Sequence, residues 1–301
     1  MKHILIIKHG ALGDIIQGID AFASLREGFK DAHITMMTSP AFASLMKQMP
    51  YFNDVFIDNR APVWQLTQLF RIKALFQRPF DVIIDLQCSK RTARYHQYFA
   101  LSQSRWLGTA KGCSDPYPDF TNVNNRDRML TAAHMLGQET KIASLEFLSI
   151  QSPSNADLPQ TYAVLMPGCS PAKPSKKWPH SHYSDLAFLL NQEGITPVVV
   201  GTKQDENACN FIAEKHDFVV NLCGKTDLPA LARLCAGATY CIGNDSGPVF
   251  LAARTDTQTL MVMGPDTNPA MSAPVGHHAS YIKVDNLTQL TADEVMNKLK
   301  G

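Results

Sequence analysis

The sequence predicts an α/β protein built of two doubly wound halves, on three observations. Apolar runs of strand length alternate with stretches of helical apolar spacing through most of the chain. A polar stretch, Gln151 to Pro159, interrupts that alternation, which then restarts. The 301 residues, 45% of them hydrophobic, are enough for two cores of ordinary size.

The first half is assigned to residues 1–152. It opens with an apolar strand over residues 3–8, a turn His9-Gly10-Ala11-Leu12-Gly13-Asp14, and a helix from Ile15 to Phe29. The alternation continues with strand Ile34 to Thr38, a helix near Pro40 to Gln48, strand Val55 to Ile57, a helix near Pro62 to Phe76 and strand Asp81 to Leu86. A helix from Lys90 to about Leu101 and a short strand near Trp106 follow. From Lys111 to Asn125 the Gly, Pro, Asp and Asn content predicts an irregular loop, and Arg126 to Leu136 reads as helix.

The second half, residues 160–301, begins with strand Tyr162 to Met166, a loop from Pro167 to Lys177 and a helix from Ser181 to Gln192. Strand Pro197 to Gly201, helix Glu206 to Lys215, strand Phe218 to Leu222 and helix Leu228 to Ala236 come next. Ala238 to Ile242 reads as a buried strand, Gly243-Asn244-Asp245-Ser246-Gly247 as a tight turn, and Pro248 onward as a helix that Ser246 or Asp245 can cap. Its first N–H groups lack intrahelical partners and would face outward at a strand's carboxyl end, a seat for phosphate. Thr259 to Met263 is a further strand, and the last helix, Ala292 to Leu299, is a candidate to pack back on the first half.

Bulk properties exclude several function classes. The net charge of +1 gives no general case for nucleic acid. The distribution is uneven, however: from Arg60 to Lys111 nine basic residues face only Asp81 and Asp85. The seven cysteines form no CxxC pair and fit reduced core thiols, and no His/Cys spacing suggests a metal cage. The N-terminal apolar run meets charge at Lys8, too short for a signal peptide, and no run approaches bilayer-spanning length, so a cytoplasmic protein is expected.

Neither GxGxxG, GxxxxGK[ST] nor GxSxG occurs, which removes the usual dehydrogenase, kinase and serine-hydrolase fingerprints. The polar residues that remain sit at strand ends. Ser170 and the lysines around Lys176 suit a diphosphate, or merely a solvated loop. Asp205 or Glu206, just past a strand, suits ribose hydroxyls, or only a helix start. The loop Asn221 to Asp227 can present backbone to a base, or Thr226 or Asp227 in it only caps the next helix. Asp14 can act as a general base or as a cap.

Taken together, these motifs resemble glycosyltransferase family 9, the heptosyltransferases. The resemblance runs from Ile4-Leu5-Ile6-Ile7-Lys8 with Gly13-Asp14, through Lys176-Lys177-Trp178-Pro179, Leu222-Cys223-Gly224-Lys225-Thr226 and Gly243-Asn244-Asp245-Ser246-Gly247-Pro248, to Gly264-Pro265-Asp266-Thr267-Asn268-Pro269. It implies a GT-B fold, two Rossmann-like domains facing a cleft, with acceptor bound by the first and nucleotide sugar by the second. It also implies inversion without a metal or other cofactor.

Carried over by position, Asp14 resembles the general base and Lys176 the diphosphate-binding lysine. Ser246, Gly247 and Val249 are similar to the phosphate loop, with Pro248 supplying no N–H. Asp245 would face the donor sugar, Asp205 or Glu206 the ribose, and Thr226 the adenine. Gly13, Lys90, Arg91 and Arg94 are the acceptor-side candidates, suited to a phosphorylated or acidic glycolipid or oligosaccharide and to contact with the inner membrane surface. Phe250 departs from the resemblance, because the family's loop usually has His there. Two rivals stay open: a GT-B nucleotide-sugar epimerase, and a non-catalytic nucleotide-sugar-binding protein.

Overall fold

A computed structural model describes residues 1–62, 64–149, 158–170 and 173–301. The chain divides into two compact units, Met1–Ala143 and Ser144–Gly301. The stretch 151–157, where the sequence places most of the linker, lies outside the described residues.

The first unit holds a six-stranded sheet of β1 (His3–Ile7), β2 (His33–Thr38), β3 (Asp54–Ile57), β4 (Val82–Asp85), β5 (Arg105–Gly108) and β6 (Asp115–Pro116). Its order is β3-β2-β1-β4-β5-β6 and every pairing is parallel. The second unit repeats the plan with β7 (Tyr162–Met166), β8 (Thr196–Val199), β9 (Val220–Asn221), β10 (Tyr240–Asn244), β11 (Gln258–Met263) and β12 (Ala279–Lys283). Its order is β12-β11-β10-β7-β8-β9, again all parallel. In each sheet the order reverses beside the first strand, between β1 and β4 and between β7 and β10. At such a switch the loops leave the strand ends in opposite directions and open a crevice.

Helices cover the faces of both sheets, which is why the central strands are apolar without alternation. Leu5, Ile7, Met37, Ile83 and Trp106 pack with Ile72, Phe76 and Tyr95 in the first core. Leu165, Val199, Ile242, Leu260 and Val262 pack with Tyr183, Leu186, Leu190 and Ile212 in the second.

Five features differ from the sequence reading. The first helix starts earlier and forms two segments, Leu12–Gln17 and Ile19–Gly28, meeting at Gly18. Asp14 therefore lies inside a helical first turn and not in a glycine turn. The loop after Lys111 contains β6, a two-residue edge strand with proline at its end, where a missing N–H costs no ladder bond. Edge strand β12 and the short helix Pro269–Ser272 were not legible, since β12 is only partly buried and lacks an apolar run. The unit boundary precedes residue 152: helix Glu146–Ser149 belongs to the second unit. The last helix, Ala292–Lys300, which the sequence reading offers to the first half, places Val295, Met296 and Leu299 in the second unit's own core.

Candidate active site

In the second unit the site grows from the end of β10. Gly243 is required there by close packing, because an added Cβ would lie 2.6 Å from Val249 Cγ2 and 2.7 Å from Met166 Cβ. Asn244 follows, fully buried. Its Oδ1 accepts from Trp178 N–H at 2.9 Å and from Tyr183 O–H at 3.2 Å, while its Nδ2 donates to Pro167 O at 2.8 Å. One amide thus ties β10 to the loop after β7 and to the segment entering the next helix. A buried amide with these partners satisfied is rigid, since losing any of them strands a polar group.

Trp178 anchors the loop that carries Lys176. It is 1% exposed, and its indole N–H donates to Leu290 O at 2.9 Å. Lys176 Nζ is thereby aimed at Asp245 and donates to Asp245 Oδ2, with side-chain exposures of 12% and 7%. The same oxygen accepts from the buried Thr267 hydroxyl at 2.8 Å. Asp245, which the resemblance places against the donor sugar, is therefore occupied by Lys176 and Thr267.

The turn after Asp245 opens the helix Gly247–Ala252 with Ser246 at its N-cap, as the sequence reading allows. The cap is geometric only, because the Ser246 side chain accepts no helix N–H and its Oγ has no hydrogen-bond partner among the described residues. The Val249 N–H donates to Ser246 O at 3.1 Å, which removes it from the expected phosphate donors. Ser246 and Gly247 retain theirs. Phe250 is 6% exposed and belongs to the core.

The remaining candidates divide cleanly. Asp205 Oδ2 accepts from Thr202 N–H at 2.9 Å and Thr202 O–H at 2.8 Å in a reciprocal capping arrangement, so Asp205 is structural. Glu206 is exposed in the first turn of helix Glu206–Lys215, with no partner among the described residues. Of this pair it is the one free to meet a ribose. Asp227 Oδ1 accepts from Ala230 N–H at 2.8 Å and caps the next helix, which leaves Thr226 uncommitted. Ser170 is exposed on the loop after β7.

In the first unit Asp14 is the acid of the helix first turn, with its side chain 42% exposed. It accepts from Asn125 Nδ2 at 3.1 Å and lies 3.5 Å from Lys8 Nζ. Lys8 is 4% exposed at the end of β1, held by Leu86 O at 3.3 Å. A buried ammonium and an amide thus fix a carboxylate that keeps a solvent-facing side. Gly13 is buried inside the same helix and presents no group of its own.

The basic candidates separate as well. Arg91 turns inward onto fully buried Asp58, with Nε and Nη2 each 3.3 Å from its carboxylate and further bonds to Ala61 O. It is not a free acceptor ligand, whereas Lys90 and Arg94 are exposed. Asp58 also accepts from Tyr95 O–H at 2.6 Å and Arg60 N–H at 2.8 Å. His9 Nε2 lies 3.0 Å from the same carboxylate, off a hydrogen-bond line. Burial alone would raise the Asp58 pKa, but His9, Tyr95 and the Arg60 N–H together hold it well below the usual carboxylate range. Asp85 at the end of β4 moves the other way, raised by burial despite bonds from the Cys88 and Gln87 N–H groups.

Lys8, Asn244 and Thr267 lie inside the motifs that carry the resemblance but have no role in the sequence reading, and Asn125 lies outside those motifs. Among the described residues no group of three or more His, Cys, Asp or Glu side chains is arranged to hold a metal ion, and all seven cysteines are free thiols.

A profile described as Glycosyltransferase family 9 (heptosyltransferase) matches residues 70–300. Lipooligosaccharide heptosyltransferase 2 of Haemophilus ducreyi is 25% identical over 93% of this chain and 88% of its own length. Lipopolysaccharide heptosyltransferase 1 of Escherichia coli K12 is 22% identical over 99% of each chain. Among solved structures, E. coli heptosyltransferase WaaC with ADP superposes with a TM-score of 0.82 at 20% identity, covering 99% of both chains. That likeness establishes the GT-B fold.

Proposed function

Because the chain belongs to glycosyltransferase family 9, the heptosyltransferases, we propose that it moves a heptose from ADP-heptose to a lipopolysaccharide-core or related surface-glycan acceptor, with inversion and without a metal. The observation that carries this reading furthest is the Lys176–Asp245 pair beside the sheet's switch point, next in sequence to the Ser246 and Gly247 N–H groups, which have no backbone partner among the described residues.

In the proposed step an acceptor hydroxyl gives its proton to Asp14 while its oxygen bonds to the anomeric carbon of the donor. The bond from that carbon to the diphosphate oxygen breaks, and ADP leaves with the electron pair. A single displacement inverts the centre. Lys176 has three N–H donors and spends one on Asp245, so two can face the leaving diphosphate. Fixed positive charge of this kind lowers the barrier where negative charge develops. Glu206 and Thr226 are proposed to meet ribose and adenine. Lys90 and Arg94 are proposed to meet an acidic acceptor at the inner membrane surface.

Phe250, where the chain departs from the resemblance, is buried in the core and packs there, so it supplies no argument for a non-catalytic binder. No observation favours an epimerase.

The test is a thermal-shift comparison of ADP, UDP, GDP and CMP, each with and without EDTA. A ligand specific for the native state at 100 times its Kd adds about 2.7 kcal/mol of stability. Selective, EDTA-insensitive stabilisation by ADP is expected. A preference for another nucleotide, or a shift that EDTA removes, contradicts the corresponding part of the proposal.

A further inference from the structure

We propose that the first unit carries a second binding site, for a small monocarboxylate with an apolar body, in a pocket at the end of the sheet opposite Lys8 and Asp14. The pocket has a volume of about 210 Å³ and is lined by His3, His33, Thr35, Arg78, Pro79 and Phe80. A cavity of roughly 150 Å³ is enough for benzene, so there is room for a single ring with a small group at each end.

The fold brings these residues together. His3 opens β1 and His33 opens β2, and the two are paired across the sheet. Thr35, two residues on, pairs with Leu5 and shares that face. It is the face on which Leu5, Ile7 and Met37 pack with Ile72, Leu75 and Phe76 of helix Leu66–Phe76. The turn Arg78-Pro79-Phe80 follows that helix and leads into β4, with Phe80 buried beside the strand starts. Lys8 lies five residues beyond His3, about 16 Å along the strand direction at 3.3 Å per residue. The pocket is therefore separate from the crevice at the carboxyl ends of the strands.

Two observations point to a ligand. Thr35 is 1% exposed, yet its Oγ1 has no hydrogen-bond partner among the described residues. A buried hydroxyl left unpaired is unfavourable, and a polar ligand atom in the pocket relieves it. Arg78 stands exposed at the rim, and its guanidinium has no partner among the described residues.

Charge selects the ligand. Asp54 already meets His33 Nε2 at 3.2 Å, and Asp81 accepts from the Lys2 and His3 N–H groups at 2.5 and 2.9 Å. Arg78 is left as the permanent charge of the lining without a counterion, which suits a single negative charge on the ligand. A guanidinium fork matches the two oxygens of a carboxylate. Pro79 and Phe80 suit an apolar body, and the Thr35 hydroxyl suits a polar group at its inner end. The two imidazoles do not make a metal site, because no group of three or more His, Cys, Asp or Glu side chains among the described residues is arranged to hold an ion.

Neither Arg78 nor Thr35 is among the donor or acceptor candidates, and binding here is read without either substrate. Failure of this site and failure of the transfer reading are therefore distinguishable.

The experiment is calorimetric titration of the full chain with para-hydroxybenzoate, benzoate and the uncharged para-hydroxybenzyl alcohol. The hydroxybenzoate is expected to bind at one site, about tenfold tighter than the alcohol, the weight of a charge-assisted pair. Arg78→Gln should remove that advantage. Thr35→Val, of similar volume, should weaken para-hydroxybenzoate several-fold and leave benzoate unchanged. Both variants should bind ADP as the wild type does. If Thr35→Val does not fold, Arg78→Gln at the exposed rim carries the test. Equal binding of the acid and the alcohol, unchanged binding by Arg78→Gln, or displacement of the probe by ADP overturns the proposal. So does the absence of saturable binding, since the pocket then holds water alone.

Discussion

Lys176 and Asp245 come from loops on opposite sides of the switch in the second sheet, and their charges meet with only 12% and 7% of the side chains exposed. Thr267 holds the same carboxylate oxygen from a third loop. The lysine is thus positioned before any ligand arrives, and the charge it offers is partly balanced.

Removing one partner of such a pair strands the other. Lys176→Ala is expected to cost about 3–5 kcal/mol of stability and to weaken ADP binding. Adding Asp245→Asn removes the stranded charge, so the double variant should recover most of the stability but not the affinity. Urea unfolding and calorimetric titration of the single and double variants separate the two effects. Recovery of ADP affinity in the double variant would show that Lys176 acts only through Asp245.

Asn244 connects β10, the loop after β7 and Trp178 through hydrogen bonds from both ends of its amide. Asn244→Leu leaves the Trp178 N–H and the Pro167 carbonyl without these partners, an expected loss of about 3 kcal/mol. Urea denaturation measures it. A loss below the scatter of the assay would mean that the two loops are held by other contacts.

Much of this was legible before the structure. The parallel strands read clearly because burial on both faces makes them continuous apolar runs, as in Ile4 to Ile7 and Tyr162 to Met166. The short strands read poorly: β6 and β12 lie at edges, where half-exposed residues carry no apolar run. At the site, the residues that matter were visible as types at strand ends, but their commitments were not. Asp205 and Glu206 are adjacent acids, and only the bond from Thr202 makes one a cap and leaves the other free. Arg91 and Arg94 are one helical turn apart, and only Asp58, 33 residues before Arg91, turns the first inward. Pairings across such sequence distances leave no local pattern.

Asp58 makes a pH prediction. Its folded-state pKa lies below the unfolded value near 4. The stability it contributes is therefore complete above that value and is lost as pH falls below it. Asp85, raised by burial, has the opposite sign, favouring the folded state at lower pH. Comparison of the wild type with Asp58→Asn isolates Asp58: the variant should be about 3 kcal/mol less stable at pH 7, through Arg91 left without its carboxylate. That difference should shrink steadily from about pH 4 downward. A difference independent of pH would assign the loss to packing.

Asp14 is expected to act on the acceptor and not on the donor. Asp14→Asn should lower kcat by about 10²–10⁴-fold, the usual range for a positioned general base, with the Kd for ADP unchanged. Lys8→Met, which removes the buried ammonium at 3.5 Å, should also lower kcat while leaving that Kd unchanged. Single-turnover kinetics and calorimetry read the two quantities. An unchanged kcat in Asp14→Asn removes the residue from the proton-transfer step.

The most direct measurement is mass analysis of a heptose-deficient lipopolysaccharide-core acceptor incubated with the purified protein and ADP-heptose in EDTA. The account predicts an acceptor heavier by one heptosyl residue, with one ADP released per residue transferred and inverted configuration at the new linkage. ADP release without a heavier acceptor, or transfer only from a different nucleotide sugar, would contradict it.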